Sequence, residues 1–162
     1  MLNDRLIFRY IISPLILVVV IMNFGCTTDQ GFDYKTVVHT FNKAWNTGEY
    51  ELLKQTVHPE YFKQEGEMEI KGVEPLIDYV KNWRKSLADA KIIYVEEIYG
   101  EDKAAIRFTL EGIPLDTGKK FKAQGIVIFR FKEGKIIEDK SVFDQLTSLT
   151  QQGYTIVPPP KN

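Results

Sequence analysis

Asp144 stands just past the last strand-like run, Lys135 to Phe143, and is the carboxylate best placed for acid/base chemistry. Alternation along a strand puts Ile136, Glu138, Lys140, Val142 and Asp144 on one face, with Ile137, Asp139, Ser141 and Phe143 opposite. With the first set turned toward an apolar hollow, desolvation raises the Asp144 carboxyl and suits it to take a proton from carbon beside a carbonyl. The competing role is structural, because aspartate is a favoured N-cap and a helical piece begins at Gln145. Glu138 and Lys140 lie two apart, about 7 Å by strand rise. They form either a pocket ion pair that clamps a ligand or an exposed pair on the outer face. Aromatic residues supply walls or plain core, and Tyr61, Trp83 and Phe108 are the candidates for ligand contact.

Other chemistries find little support. His39 lies beside an apolar helical stripe, and His58 precedes Pro59 at a helix end. Neither has a cysteine or carboxylate at ligand spacing, so the pattern predicts no metal site. Gly-rich phosphate loops and nucleophile elbows are missing from the sequence.

The elements that position these residues follow from periodicity. Tyr34, Val37, Val38, Phe41 and Trp45 recur at helical spacing, with Asp33 as N-cap and Asn46-Thr47-Gly48 as the stop. A short helix is predicted over Glu49 to Val57, ended by His58-Pro59. Tyr61 to Ile70 reads as a strand or hairpin interrupted at Gly66. A third helix runs from Val73 to Leu87, with Pro75 in its first turn and Leu76, Tyr79, Val80, Trp83 and Leu87 facing inward. The period then changes to two over Lys91–Tyr99, Lys103–Glu111, Phe121–Phe131 and Lys135–Phe143, joined by short glycine-bearing turns. A last helical piece spans Gln145 to Gln152. Helices followed by hairpin-linked strands predict an α+β fold, a curved antiparallel sheet wrapped around three N-terminal helices. Ile126, Val127, Ile128 and Phe129 make both faces of one strand apolar, so both need cover, which favours a homodimer through the sheet or else a larger contact within the chain.

The ends carry a different message. Arg5 and Arg9 precede an apolar run from Pro14 to Met22, too short to cross a bilayer's hydrocarbon core, which needs about 20 residues. The pattern predicts a signal peptide over residues 1–25. It ends in Asn23-Phe24-Gly25-Cys26, which resembles a bacterial lipobox, and Cys26 is the only cysteine of the chain. The resemblance implies lipidation of Cys26, a polar tether over 26–32, and attachment to a membrane of the bacterial cell envelope, at the outer membrane or cell surface. Asn23 and Phe24 depart from the usual lipobox residues. Removing Arg5, Arg9 and Asp4 from the 21 basic and 22 acidic residues leaves 19 and 21, a net −2 with histidines neutral. That balance excludes a nucleic-acid partner. A domain over 33–154 and a proline-rich tail over 155–162 complete the chain.

Within the domain, the order Phe41-Asn42, Gly48, His58-Pro59-Glu60-Tyr61, Gly72, Thr117-Gly118-Lys119 and Ile128-Phe129-Arg130-Phe131 resembles the SnoaL-like polyketide cyclases. Glu133-Gly134-Lys135-Ile136-Ile137-Glu138, Asp144 and Gln151-Gln152-Gly153 extend the likeness, which covers about Tyr34 to Tyr154. This family belongs to the cone-shaped superfamily of nuclear transport factor 2. The resemblance implies a curved sheet closed by helices around a pocket, pairing of two copies through the sheet, and no cofactor. It also implies an intramolecular aldol closure with an aspartate as acid/base, matched here by Asp144. Two departures weigh against that reaction: Lys140 stands where the family often has tryptophan, and no histidine lies in the stretch Thr109 to Gly118. The expectation is therefore an anchored envelope protein whose pocket binds a small apolar or amphipathic ligand without catalysis. The alternative is a cofactor-free ester cyclase or isomerase-type enzyme using Asp144.

Overall fold

The computed structural model describes residues 31–158. The predicted signal segment, Cys26 and the end of the proline-rich tail lie outside the described residues. Helix α1, Tyr34–Thr47, starts where the Asp33 side chain accepts a hydrogen bond from the Thr36 amide at 3.0 Å. It stops at Gly48, whose φ of 79° is a left-handed conformation that costs a glycine little. Its buried stripe is Val38, Phe41, Ala44 and Trp45.

Helix α2, Glu51–Thr56, is shorter than predicted and runs straight into strand β1, Val57–Glu65. His58 and Pro59 are therefore strand residues rather than a helix stop. Pro59, which has no N–H to offer a ladder, falls in a break of register between Val57 and Phe62. Strand β2, Met68–Lys71, closes a hairpin on β1. Helix α3, Val73–Ser86, buries Leu76, Ile77 and Val80. Then come β3, Leu87–Tyr99, β4, Lys103–Pro114, β5, Phe121–Lys132, β6, Lys135–Phe143, and the terminal helix α4, Gln145–Gln152.

The six strands form one curved, open sheet in the order β2-β1-β6-β5-β4-β3. The sheet is mixed rather than purely antiparallel: β1 and β6 run parallel, while the other neighbouring pairs are antiparallel. Strand β5 alternates without fault. Phe121, Ala123, Val127, Phe129 and Phe131 are buried on its inner face, and Ile126 and Ile128 are exposed on its outer one.

Strand β6 does not alternate without fault. Phe131 pairs with Ile136 and Arg130 with Glu138, so Ile137 is an extra residue, a bulge. An odd insertion inverts the side-chain parity beyond it. Ile136 is buried, but after the bulge Asp139 and Ser141 point inward, while Lys140 and Val142 are exposed.

Two side-chain amides finish the sheet where strands have no neighbour. Asn46 of α1 accepts from the Ile92 amide at 2.8 Å and donates to the Ile92 carbonyl at 2.9 Å, on the free edge of β3. Gln151 of α4 does the same for Lys122 of β5, at 2.6 and 3.0 Å. Each amide takes the place of a strand rung. Asn46→Ala leaves the Ile92 amide without its partner and its carbonyl with only the longer bond from Asn42 Nδ2, at 3.4 Å. It is expected to lower stability by about 1–3 kcal/mol, the net worth of two such bonds, and to speed hydrogen exchange at the Ile92 amide. An unchanged urea midpoint would mean that packing alone docks α1 on β3.

Candidate active site

Between α1, α3 and the inner face of the sheet lies a cavity of about 100 Å³. Its walls are largely aromatic. Phe41 and Trp45 come from α1, Tyr79 and Trp83 from α3, Tyr94 from β3 and Phe108 from β4. Trp45 meets Tyr79 and Trp83 edge-on, with ring centroids 6.0 and 5.3 Å apart, a favoured aromatic geometry. Phe108 lies across Gly125 so closely that a Cβ there would stand 2.3 Å from its ring. Only glycine lets that ring reach the strand.

One end of the cavity is polar, and the parallel β1–β6 pairing builds it. The register sets Lys63 opposite Asp139 and Glu65 opposite Ser141. Lys63 Nζ donates to both Asp139 oxygens, at 3.3 and 3.4 Å, and to Ser141 Oγ at 3.0 Å. Tyr61, buried behind this end, donates its hydroxyl to Asp139 Oδ2 at 3.1 Å. Ser141 Oγ donates to Glu65 Oε2 at 3.2 Å, and that carboxylate lies 3.6 Å from Lys63 Nζ. Lys63 also stands 5.9 Å over the Trp45 ring, within cation–π range.

Burial shifts the Asp139 carboxyl and the tyrosine hydroxyls around it. Desolvation pushes the Asp139 carboxyl above its usual range, and the Lys63 charge and hydrogen bond with the Tyr61 hydroxyl pull part of that back. A carboxyl raised on folding binds its proton more tightly in the native state. Its contribution to stability is complete in acid and is lost as pH rises through the native value. Burial also raises the Tyr61 and Tyr94 phenols well above normal and, with Glu65 and Asp139 nearby, moves Tyr79 up to about 12. All three hydroxyls keep their protons at neutral pH.

Residues 35–152 match the family model of the SnoaL-like polyketide cyclases. This chain belongs to that family. No curated protein matches it. Among solved structures, the SnoaL-like domain is similar to a protein of Bacillus cereus ATCC 10987 assigned as a polyketide cyclase. That pair shares 30% identity and a TM-score of 0.64, covering 72% of this chain and 78% of that one. TsrD from Streptomyces laurentii shares 23% identity at a TM-score of 0.69, covering 74% and 94%. A Catenulispora acidiphila DSM 44928 protein of ketosteroid isomerase-like fold, solved with trimethylamine, shares 13% identity at 0.68, covering 75% and 97%. The last two likenesses concern the fold.

The geometry of the SnoaL-like domain redraws the set of site residues. Asp144 is exposed and stands apart from the cavity. Its Oδ1 accepts from the Thr147 amide at 2.9 Å, which makes it the N-cap of α4 and holds its carboxyl below the usual range. Glu138 and Lys140 pair with each other at 3.3 Å beside Arg130 on the outer face, away from the cavity. The bulge at Ile137 is the reason for all three displacements. Trp83 and Phe108 line the cavity, while Tyr61 touches it only through Asp139. His39 pairs with Glu97 at 2.9 Å on the surface. His58 is buried and accepts from the Glu60 amide at 3.1 Å. Among the described residues no cluster of three or more His, Cys, Asp or Glu could hold a metal.

The groups that reasoning from sequence missed are Lys63, Glu65, Asp139 and Ser141. The i, i+2 spacing of Tyr61, Lys63 and Glu65, and of Asp139 and Ser141, was the available signal. It gains meaning only once β1 and β6 are known to be neighbours. Breaking the buried pair tests its role. Lys63→Met strands the Asp139 charge and is expected to cost about 3–5 kcal/mol in urea unfolding. Adding Asp139→Asn removes both charges and should recover most of that loss. A double variant as weak as the single one would show that the two do not act as a unit.

Proposed function

We propose that the SnoaL-like domain binds a small, mostly apolar ligand with one polar group, and that it does so without catalysis. The observation that carries this reading is the closure of the cavity's polar end on itself. A proton-abstracting carboxylate needs a free lone pair within reach of the substrate. Lys63 takes one acceptor site on each Asp139 oxygen and Tyr61 a second on Oδ2, which leaves Oδ1 alone with spare capacity and ties the group to its neighbours. The ammonium group further weakens Asp139 as a base. What remains is an aromatic-walled hollow with a fixed polar end, the usual form of a small-molecule site.

A second reading has its own support: Asp139 acts as the acid/base of a cofactor-free cyclase or isomerase-type reaction. Its raised carboxyl favours this, as does the assignment of the Bacillus cereus relative as a polyketide cyclase. Turnover that disappears in Asp139→Asn while binding persists would establish the second reading over the first.

The protein supplies its own reporter for binding. The chain has two tryptophans, and both line the cavity. Titration with toluene is expected to change tryptophan emission saturably. Val127→Phe, which adds bulk to the cavity wall, should abolish the change while the melting transition stays cooperative. Emission that responds equally in the filled variant would discard the cavity as the site.

The same proposal includes an anchor and a partner copy. Cys26 follows a basic and then apolar segment as the sole cysteine, which supports lipidation and attachment to the bacterial envelope. Ile126 and Ile128, 46% and 50% exposed, adjoin the exposed Val142 on the outer sheet face, which supports a homodimer through that face. Wild type is expected to enter the detergent phase on phase partition, and Cys26→Ser to stay in the aqueous phase. The aqueous variant should sediment as a dimer. Equal partitioning of the two forms would remove the anchor from the proposal, and a monomer at about 100 µM, a concentration where even weak dimers assemble, would remove the partner copy.

A further inference from the structure

At the polar end of the cavity the donors are all committed. An ammonium has three N–H groups, and Lys63 Nζ meets both Asp139 oxygens, Ser141 Oγ and, at 3.6 Å, Glu65 Oε2. The Ser141 hydroxyl gives its proton to Glu65 Oε2, and the Tyr61 hydroxyl gives its own to Asp139 Oδ2. Accessibility then separates the three charged groups. The Lys63 and Asp139 side chains are 5% and 3% exposed, whereas that of Glu65 is 29% exposed. Glu65 is the charge of the cavity lining that water, and hence a ligand, reaches. Its Oε1 has no hydrogen-bond partner among the described residues. An ionised carboxylate accepts and never donates. The open place at this site is for a donor.

Charge narrows the ligand further. Lys63, Asp139 and Glu65 are the charged residues of the lining, with a net −1 when all are ionised. A proton on Asp139 brings that to zero, and in neither form is a positive charge left over for an anion. The walls tolerate a cation, because Lys63 Nζ already stands 5.9 Å over the Trp45 ring in the same cavity. The Tyr79 and Tyr94 hydroxyls can donate or accept, so they do not choose between ligands. An ammonium group on an apolar frame supplies the donor, the charge and the body that this lining fits.

We infer that Glu65 is a specificity-determining residue whose Oε1 accepts from the ammonium group of the ligand, so that the cavity selects small apolar amines over alcohols and hydrocarbons of the same shape. This rests on the ligand-binding reading above and adds the chemical class and the residue that chooses it. The rival account is a carboxylate that meets only water and serves to hold the Ser141 hydroxyl in place.

Three probes of one shape separate these accounts: benzylamine, benzyl alcohol and ethylbenzene, titrated into the full chain at neutral pH and followed by protein NMR. Benzylamine, charged under these conditions, is expected to bind about fivefold or more tighter than benzyl alcohol, the gain of a charged hydrogen bond over a neutral one. Added salt should weaken benzylamine and leave ethylbenzene unaffected, because Glu65 is partly exposed. Glu65→Gln, which keeps the shape and an acceptor for Ser141 but loses the charge, should lower the benzylamine affinity about tenfold and the ethylbenzene affinity by less than about twofold. Benzylamine no tighter than benzyl alcohol in the wild type, or an amine affinity that survives Glu65→Gln, overturns the role of Glu65; binding of ethylbenzene then leaves the ligand-binding reading intact. Failure of all three probes to bind overturns that reading together with this one. Should Glu65→Gln fail to fold, the Glu65 carboxyl carbon of the wild type decides alone: its resonance should move with benzylamine and not with ethylbenzene.

Discussion

The parallel pairing of β1 with β6 is the constraint on which the site depends. These strands are separated in the chain by a helix and four strands, and their register sets Lys63 against Asp139. A buried ion pair is a poor source of net stability, because desolvating two charges offsets most of their attraction. What it does supply is uniqueness: a one-residue slip of β1 against β6 would bury one charge without the other, at a cost of several kcal/mol. The pair therefore acts as a lock on register, and the hairpin β1–β2 and the cavity's polar end follow from it. Tyr61 and Ser141 complete the lock by engaging the remaining hydrogen-bonding groups.

Around this lock the fold closes its open edges with side chains. Asn46 stands in for a strand along β3, and Gln151 does so along β5 where β6 has ended. An exposed edge invites another chain to pair with it. Both amides remove part of that hazard and at the same time fasten a helix to the sheet. The α1 amide has a further effect, because it fixes the helix that carries Phe41 and Trp45 over the cavity.

Much of the fold was legible in the sequence because it rests on local signals. The stripe from Tyr34 to Trp45 with its Asp33 cap, the turn at Gly134 and the strict alternation of β5 are all local. So was the dual reading of Asp144, whose capping role is the one the structure displays. Motif order carried the family resemblance, and the match over residues 35–152 agrees with it. What sequence reasoning misplaced depends on distant partners. No turn or period announces that β1 lies beside β6, so nothing local marks Lys63 as a site residue. Ile137 shows the same limit on a smaller scale. Nothing in Lys135-Ile136-Ile137-Glu138 distinguishes a bulged strand from a regular one, yet the bulge decides which half of β6 sees the interior.

That extra residue has a consequence for comparing members of this family. Between two proteins with and without it, positions that align letter by letter in the last strand would occupy opposite sides of the sheet. In this chain Lys140 lies beyond the bulge and is a solvent-facing position, paired with Glu138 on the outer face. Functional residues in such strands transfer by counting from the inward-facing carboxylate, not by column.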